Sequence, residues 1–472
     1  MNNSADVLTT PNRPTGTGLL DPGYVPMAPA IRAYRLRAAS HPGTERLEIA
    51  LERSGGAVSR WSEPVMSLGA CPPAETKRHV ERLVKFLLWS RGGGTLHLAG
   101  PEWITRALSE CYQPDGARGF DVRLMSRAYD RRFDVRVHAD AKNVPPENET
   151  AEEIGGHLDG CRIGFDLGAS DFKLAAVRDG EVVYSAEIPW NPVVEADQMY
   201  HRKHIEDGLR LAAAHLPRVD AIGGSSAGIY LDNKVMVASL FRSVPPNVFA
   251  RDVKSMFLEL QQAWGVPLVV VNDGDVTALA GAMSLGRHPL LGIAMGSSEA
   301  AGYIDSDGHI KGWLNELAFA PVDMNPNAAC DEWSGDHGVG ALYFSQQAVN
   351  RLAPEAGILF PEDTPLPERL RLVQGLAAEG DHRALRLFET IGMYLGHTLA
   401  LYREFYDFND VLILGRVTSG MGGDIILNHA RSMLTGQHGV DALPITIHVP
   451  DEINRRVGQA VAAASLPRIT HA

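Results

Sequence analysis

The stretch RIGFDLGASDFKLAAVRDGEV, Arg162 to Val182, decides how the rest of the chain is read. Its pattern predicts a strand, a tight turn of small residues at Gly168-Ala169-Ser170, and a second strand. Asp179-Gly180 then predicts a hairpin turn into a third strand. The first turn carries no bulky side chain, so its backbone N–H groups can approach a phosphate closely. Asp166 ends the first strand just ahead of that turn. A carboxylate there is placed to hold a nucleotide-bound Mg²⁺ through water.

Working outward, the same pattern recurs. LGIAMGSSEAAGYIDSDGHI, from Leu291, superimposes without a gap on the stretch beginning at Ile163. Gly164 falls on Gly292, Gly168 on Gly296, Ser170 on Ser298, Asp171 on Glu299, and Asp179-Gly180 on Asp307-Gly308. A strand–turn–strand–DG–strand unit therefore occurs twice. A solenoid needs at least about three short-period copies, so two distant copies predict two related lobes. Each lobe would offer its small-residue turn (Gly296, Ser297 and Ser298 in the second) to a shared cleft, gripping a nucleotide's phosphates from both sides.

The remaining chain fits an α/β protein. Its 472 residues predict two or three domains, and 45% hydrophobic with 21% charged residues describe an ordinary globular composition. A net charge of −13 argues against non-specific binding to nucleic acid or an anionic membrane. Cys71, Cys111, Cys161 and Cys330 form no CxxC pair, so they read as reduced cysteines. No signal-peptide core or membrane-length apolar run is seen, and a cytoplasmic location is expected.

Residues 1–30 read as a flexible arm rich in Asn, Thr, Pro and Gly. Residues 31–142 read as a small α/β domain of unknown role, with a helix over Thr76–Trp89, and 143–159 as a charged linker. Strands and helices then alternate, predicting a first lobe over 160–285 and a second over 286–472. Pro267–Val271 is a buried strand, Val276–Leu285 a helix and Leu385–Tyr406 a long amphipathic helix. Gly415 follows strand Val411–Leu414, as a turn glycine or as room for a flat adenine ring.

These residues resemble the ROK family (repressors, open reading frames and sugar kinases) of the actin-like/sugar kinase superfamily. DLGASDFK at Asp166 is similar to its D-x-G-G-T-x-x-K phosphate loop, and SSAGIYLDNKV at Ser225 to its G-x-G-x-P-G-x-V-D segment. VVVNDGDVTALAGAM resembles its E/N-D-A/V-N-A-A-A-L-A-E segment, and AMGSSEAAGYI its second phosphate loop. GWLNELAFAP lies where the family has G-x-x-G-E-I-G-H, and LILGRVTSG where it has L-G-G-G-V-S. The order and spacing agree over about residues 160–470.

The resemblance implies a two-lobed actin-like (ribonuclease H-like) ATPase fold with duplicated lobes. It also implies ATP- and Mg²⁺-dependent phosphorylation of a sugar hydroxyl, with Asp273 as base. Phosphoryl transfer independently calls for a carboxylate to take the hydroxyl proton, because catalysis is mostly positioning and charge stabilisation. Asp273 ends an apolar strand just before a helix N-terminus, which would keep it ionised. Its alternative is a helix cap, a role Asp275 also suits. Asn272 and Glu316 match positions that hydrogen-bond sugar hydroxyls; Trp313 suits stacking on a sugar face and Asn315 bonding it. Lys173 either approaches the phosphates or faces solvent. By resemblance, the partners are a small-molecule sugar and further copies of the chain in a dimer or tetramer, with no nucleic acid and no membrane.

The chain departs from the family in four places, one of them at Phe319 or a neighbour in NELAFAP, where the family's GH histidine stands. Where many members carry a zinc motif, C-x-C-G-x-x-G-C-x-E, this sequence has EWSGDHGVGA, with Glu332, Ser334, Val339 and Ala341 at the ligand positions. No zinc site is expected; Cys330, Asp331 and His337 are either a different metal site or polar loop residues. Glu299 puts a carboxylate on the second phosphate loop, where it points away, binds metal, or marks an altered nucleotide role. Arg416 stacks on adenine or crowds it. Two functions follow: a hexose kinase, or a catalytically weakened carbohydrate- or nucleotide-binding sensor. A DNA-binding repressor fits the acidic charge less well.

Overall fold

A computed structural model describes residues 20–69, 71–149, 154–169, 171–436, 443–449 and 458–469. The amino-terminal domain runs α1 (Met27–Ala39), β1 (Glu45–Glu52), β2 (Val58–Val65), α2 (Pro73–Arg91), β3 (Thr95–Ala99), α3 (Glu102–Cys111), α4 (Gly119–Ala128) and β4 (Asp134–Val137). Its four strands form one sheet in the order β2-β1-β3-β4. Val80, Leu83, Val84, Leu87 and Leu88 recur along α2 at helical spacing and are all buried. Each such side chain contributes about 1.5–3 kcal/mol.

The first lobe follows with β5 (Cys161–Leu167), β6 (Asp171–Arg178), β7 (Glu181–Pro189), α5 (Gln198–Ala213), β8 (Ala221–Ser226), β9 (Ile229–Leu231) and β10 (Lys234–Val237). It continues through α6 (Pro246–Val248), α7 (Met256–Trp264), β11 (Leu268–Asn272) and α8 (Asp273–Leu285). The second lobe has β12 (Leu290–Met295), β13 (Glu299–Ile304), α9 (Ala341–Phe344), α10 (Gln346–Glu355), α11 (Leu366–Ala378), α12 (His382–Tyr402), β14 (Asp410–Leu414), α13 (Gly420–Leu434) and β15 (Thr446–His448). Helix α14 (Gly458–Ala464) ends the described chain's regular structure.

The two lobe sheets share a plan. The first is ordered β11-β8-β5-β6-β7 and the second β13-β12-β14-β15. In each, a central strand pairs antiparallel with its hairpin partner on one side and parallel with a later strand on the other. Duplicated lobes, read from the repeated hairpin, are thus present in the strand order.

The lobes also exchange helices. α14 packs on β5 and β8 of the first sheet, and α8 on β12 and β13 of the second. Gly164 and Gly292, matched in the repeat, lie under these helices. A Cβ at Gly164 would stand 1.7 Å from the Ala460 carbonyl oxygen, and one at Gly292 2.9 Å from the Ala278 Cβ. The expected lobe boundary therefore needs correction, because the chain's last helix closes the first lobe rather than the second.

Three further expectations change. The arm is shorter than 1–30: Leu20, Tyr24 and Met27 are buried, and residues 25–27 exchange backbone hydrogen bonds with Val322 and Met324. Residues 1–19 lie outside the described residues. The linker is free at neither end: Asn148 pairs with Val58 and Ile154 with Ile310, with 150–153 outside the described residues. Lastly, Asp179 (φ 51°) and Gly180 (φ 86°) form the predicted hairpin turn, but Asp307-Gly308 does not launch a third strand. There Asp305 Oδ1 accepts from the backbone N–H groups of Asp307 and His309, and Ile310 makes only single bridges, to Ile304 and Ile154. Among the described residues no helix is long and apolar enough to cross a membrane.

Candidate active site between the lobes

Asp166 sits one residue from the end of β5 because the strand's alternation turns it between its two neighbours in the sheet. Ser225 is its parallel partner on β8 and Lys173 its antiparallel partner on β6. Ser225 Oγ donates to Asp166 Oδ1 at 2.6 Å, and Lys173 Nζ lies 3.7 Å from Oδ2 and 3.2 Å from Asp171 Oδ1. Burial raises the Asp166 pKa, and the hydroxyl and ammonium oppose that rise. Both Asp166 oxygens thus already face a polar partner, Oδ1 the Ser225 hydroxyl and Oδ2 the Lys173 ammonium. The following turn is closed by Gly168 N–H on the Asp171 carbonyl, 2.9 Å, and by the Trp190 indole N–H on the Gly168 carbonyl, 2.8 Å. Ala169 lies in that turn, and Ser170 lies outside the described residues.

At the same end of this sheet, two strands over from Asp166, helix α8 starts three residues earlier than expected. Its cap is Asn272, whose Oδ1 accepts from Gly274 N–H at 2.7 Å while Nδ2 donates to the Gly228 carbonyl at 2.7 Å. Asp273 occupies the first helical position, where its Oδ1 also accepts from the Gly274 N–H at 3.1 Å. Burial, then the negative charge of Asp166, pushes its pKa up to about 6. The helix N-terminus thus does not hold it at an ordinary carboxylate value. Desolvation outweighs the backbone N–H groups from which its carboxylate accepts.

Three more acids share this interior. Burial pushes Asp275 up to about 8, Glu316 to about 7 and Glu299 to about 8. Asp275 accepts from Asn315 Nδ2 at 2.9 Å, and Asn315 Oδ1 accepts from the Tyr406 hydroxyl at 3.0 Å. Asn315 is therefore engaged at both ends and holds Asp275 in place. Glu316 belongs to the cleft through its charge coupling to Asp273 and Glu299.

Trp313 stacks on protein: the Arg91 guanidinium lies 3.6 Å from its ring centroid, Tyr303 packs parallel at 5.2 Å, and its indole N–H donates to Glu149. These contacts come partly from the amino-terminal domain, and nothing in the repeated motifs signals them. Asp275 was legible only as a possible cap, and its burial comes from Asn315 and Tyr406, distant in sequence.

The second turn differs from the first. Gly296 N–H bonds the Ser298 carbonyl at 3.0 Å, and Ser297 and Ser298 are exposed. Glu299 points away from them, buried beneath Tyr402, whose hydroxyl donates to it at 3.0 Å. Gly415 (φ 111°) lets the end of β14 pass Met295, since a Cβ would come within 2.3 Å of the Met295 carbonyl oxygen. The next residue, Arg416, is exposed.

The stretch at the family's zinc position is held by other means. Asp331 accepts from Ser334, and His337 bonds the Ala328 carbonyl. Asp336 pairs with Arg82, Lys85 and Arg118 of the amino-terminal domain at 2.6–3.1 Å. Among the described residues no group of three or more His, Cys, Asp or Glu is arranged to hold a metal.

No protein-family model matches the chain, and no curated protein matches it. Solved structures do. A ROK family transcriptional regulator, a homologue of the E. coli MLC protein, aligns with a TM-score of 0.52 and 19% identity over 66% of this chain and 78% of its own. A ROK family glucokinase from Streptomyces griseus, in complex with glucose and AMPPNP, aligns at 0.48 and 19% over 65% and 98%. A ROK hexokinase from Thermus thermophilus aligns at 0.49 and 19% over 64% and 97%. The duplicated sheets, the exchanged helices and the likeness to the regulator agree: this chain has the two-lobed actin-like fold of ROK proteins.

Proposed function

We propose that the chain is an ATP-dependent carbohydrate kinase that transfers the γ-phosphate to a hydroxyl of a hexose or hexose-like substrate in the cytoplasm. The observation that carries this reading is Asp273, set at the start of α8 at the same end of the first lobe's sheet as Asp166 and raised by burial and by that neighbour's charge to a pKa of about 6. A base with that value is ionised at neutral pH and still basic enough to accept the hydroxyl proton as the phosphoryl group arrives. Asp166 would hold the nucleotide's Mg²⁺, which neutralises phosphate charge. Gly168, Ala169 and Lys173 would face one side of the phosphates and Gly296, Ser297 and Ser298 the other, with Gly415 on the adenosine side; Ser170, expected beside Ala169, lies outside the described residues. The burial of Glu299 supports the reading, because the second turn then presents hydroxyls without a carboxylate. Asn272 and Glu316 would bind sugar hydroxyls.

A carbohydrate or nucleotide sensor is the second reading. It is favoured by the protein contacts that occupy Asn315 and Trp313. ADP release with MgATP across a monosaccharide panel separates the two. Turnover that disappears in a folded Asp273→Asn supports the kinase. Calorimetric sugar binding without turnover supports the sensor.

A further inference from the structure

The residue that follows β7 shapes the first small-residue turn. β7 pairs with β6 in a register that sets Pro189 opposite Asp171, so the next residue, Trp190, arrives beside the turn between β5 and β6. Its ring is 6% exposed and packs on Phe172, with centroids 5.7 Å apart. Just beyond it, the Asn191 N–H donates to the Tyr200 hydroxyl at 2.9 Å. The indole is thus held on both sides, and its only polar group, the ring N–H, donates to the Gly168 carbonyl at 2.8 Å.

A trans peptide is planar, with its C=O and N–H pointing in opposite directions. Anchoring the Gly168 carbonyl on a buried ring therefore turns the other end of that peptide, the Ala169 N–H, away from the core. Ala169 is exposed, and its N–H has no acceptor among the described residues. The Gly168 N–H, by contrast, is taken by the Asp171 carbonyl at 2.9 Å. Ala169 supplies the free amide of this turn. With the peptide flipped, the turn would present a carbonyl oxygen instead, which repels a phosphate oxygen.

We infer that Trp190 is a positioning residue for the nucleotide: its indole N–H holds the Gly168–Ala169 peptide so that the Ala169 N–H faces a phosphate oxygen. The inference rests on the nucleotide reading above and adds a residue from outside both turns. Trp190 touches no reacting atom and acts only through the peptide it holds.

Calorimetry on the full chain with MgAMPPNP tests this, joined by the amide spectrum of protein labelled with nitrogen-15 alanine. β-(3-Benzothienyl)alanine at position 190 keeps the bicyclic shape and puts sulfur in place of the N–H, so a role in packing alone would leave it silent. It should weaken MgAMPPNP by at least about 5-fold. In the wild-type chain MgAMPPNP should move the Ala169 amide resonance, and the isostere should reduce that shift. Trp190→Phe also lacks the donor, should weaken MgAMPPNP at least as much, and serves if the isostere fails to fold. A smaller loss in the folded isostere, or a wild-type Ala169 resonance that bound MgAMPPNP does not move, overturns the inference while leaving the kinase reading intact. Absence of MgAMPPNP binding by the wild-type chain overturns both.

Discussion

The hairpins β5–β6 and β12–β13 align without a gap in sequence, yet their turns differ by one residue. Leu167 stands opposite Phe172, leaving 168–171 between them, whereas Met295 stands opposite Glu299, leaving 296–298. Because side chains alternate along a strand, that single step reverses the face of everything after the turn. Asp171 lies on the opposite face from buried Phe172 and reaches Lys173. Its counterpart Glu299 shares the face of fully buried Met295 and goes under Tyr402. Matched acids in matched motifs therefore have different chemistry: one is a partly exposed ion-pair partner, the other a buried acid. On the proposed kinase reading, the carboxylate that works beside Asp273 is Asp166, not Glu299.

That assignment is most exposed to activity measurements. Asp273→Asn should lower kcat/KM for the preferred sugar by about 10²- to 10⁴-fold, read as ADP release. Asp166→Asn should also cost at least about 100-fold and raise the Mg²⁺ requirement, while Glu299→Gln should keep kcat/KM within about 3-fold. Equal losses for Asp166→Asn and Glu299→Gln would erase the distinction between the hairpins. The wild-type kcat/KM should fall about tenfold per pH unit below about pH 6, where Asp273 becomes protonated, and level off above it.

Stability gives the next largest contrast. Gly164→Ala sets a Cβ against the backbone of α14 and should destabilise by about 3 kcal/mol in denaturant titrations. Gly292→Ala meets Ala278 less closely, its Cβ at 2.9 Å and its Cα at 3.0 Å, and should cost about 1 kcal/mol. A reversed order would mean that α8 is the tighter of the two exchanged helices.

The buried acid has its own pH signature. Glu299 is raised to about 8 in the folded chain from the ordinary 4.5. The folded state therefore binds its proton more tightly than the unfolded state does. Its contribution is fully favourable below about pH 4.5 and is lost as pH rises through about 8. Glu299→Gln should remove that loss and stabilise the chain at pH 8 by on the order of 1–2 kcal/mol. The smallest effect belongs to Asp171→Asn, which removes a partly exposed ion pair and should shift stability by less than about 0.5 kcal/mol. A larger shift would show Asp171 to be as deeply engaged as Glu299.

Much of this arrangement was legible in the residues. The small-residue turns, the Asp179-Gly180 hairpin, the paired glycines and the motif order are local signals, and they led to two lobes and to Asp166 and Asp273. Other features depend on neighbours far along the chain. Asn272, rather than Asp275, caps α8 because Gly228 holds its other end. Trp313, legible as a stacking platform, receives Arg91, more than two hundred residues earlier in the sequence.

By itself, then, the sequence determined the duplicated α/β fold and the acids available to the cleft. Backbone propensity, turn chemistry and hydrophobic period act within a few residues and repeat wherever the pattern repeats. Only the tertiary structure decided which acids face the cleft and what packs around it. The strand register turned Glu299 inward, and docking of the amino-terminal domain satisfied the carbonyls of α2 with the segment carrying Glu316. Both depend on long-range packing, where a one-residue offset or a distant helix end changes a side chain's solvent and partners without altering a single local motif.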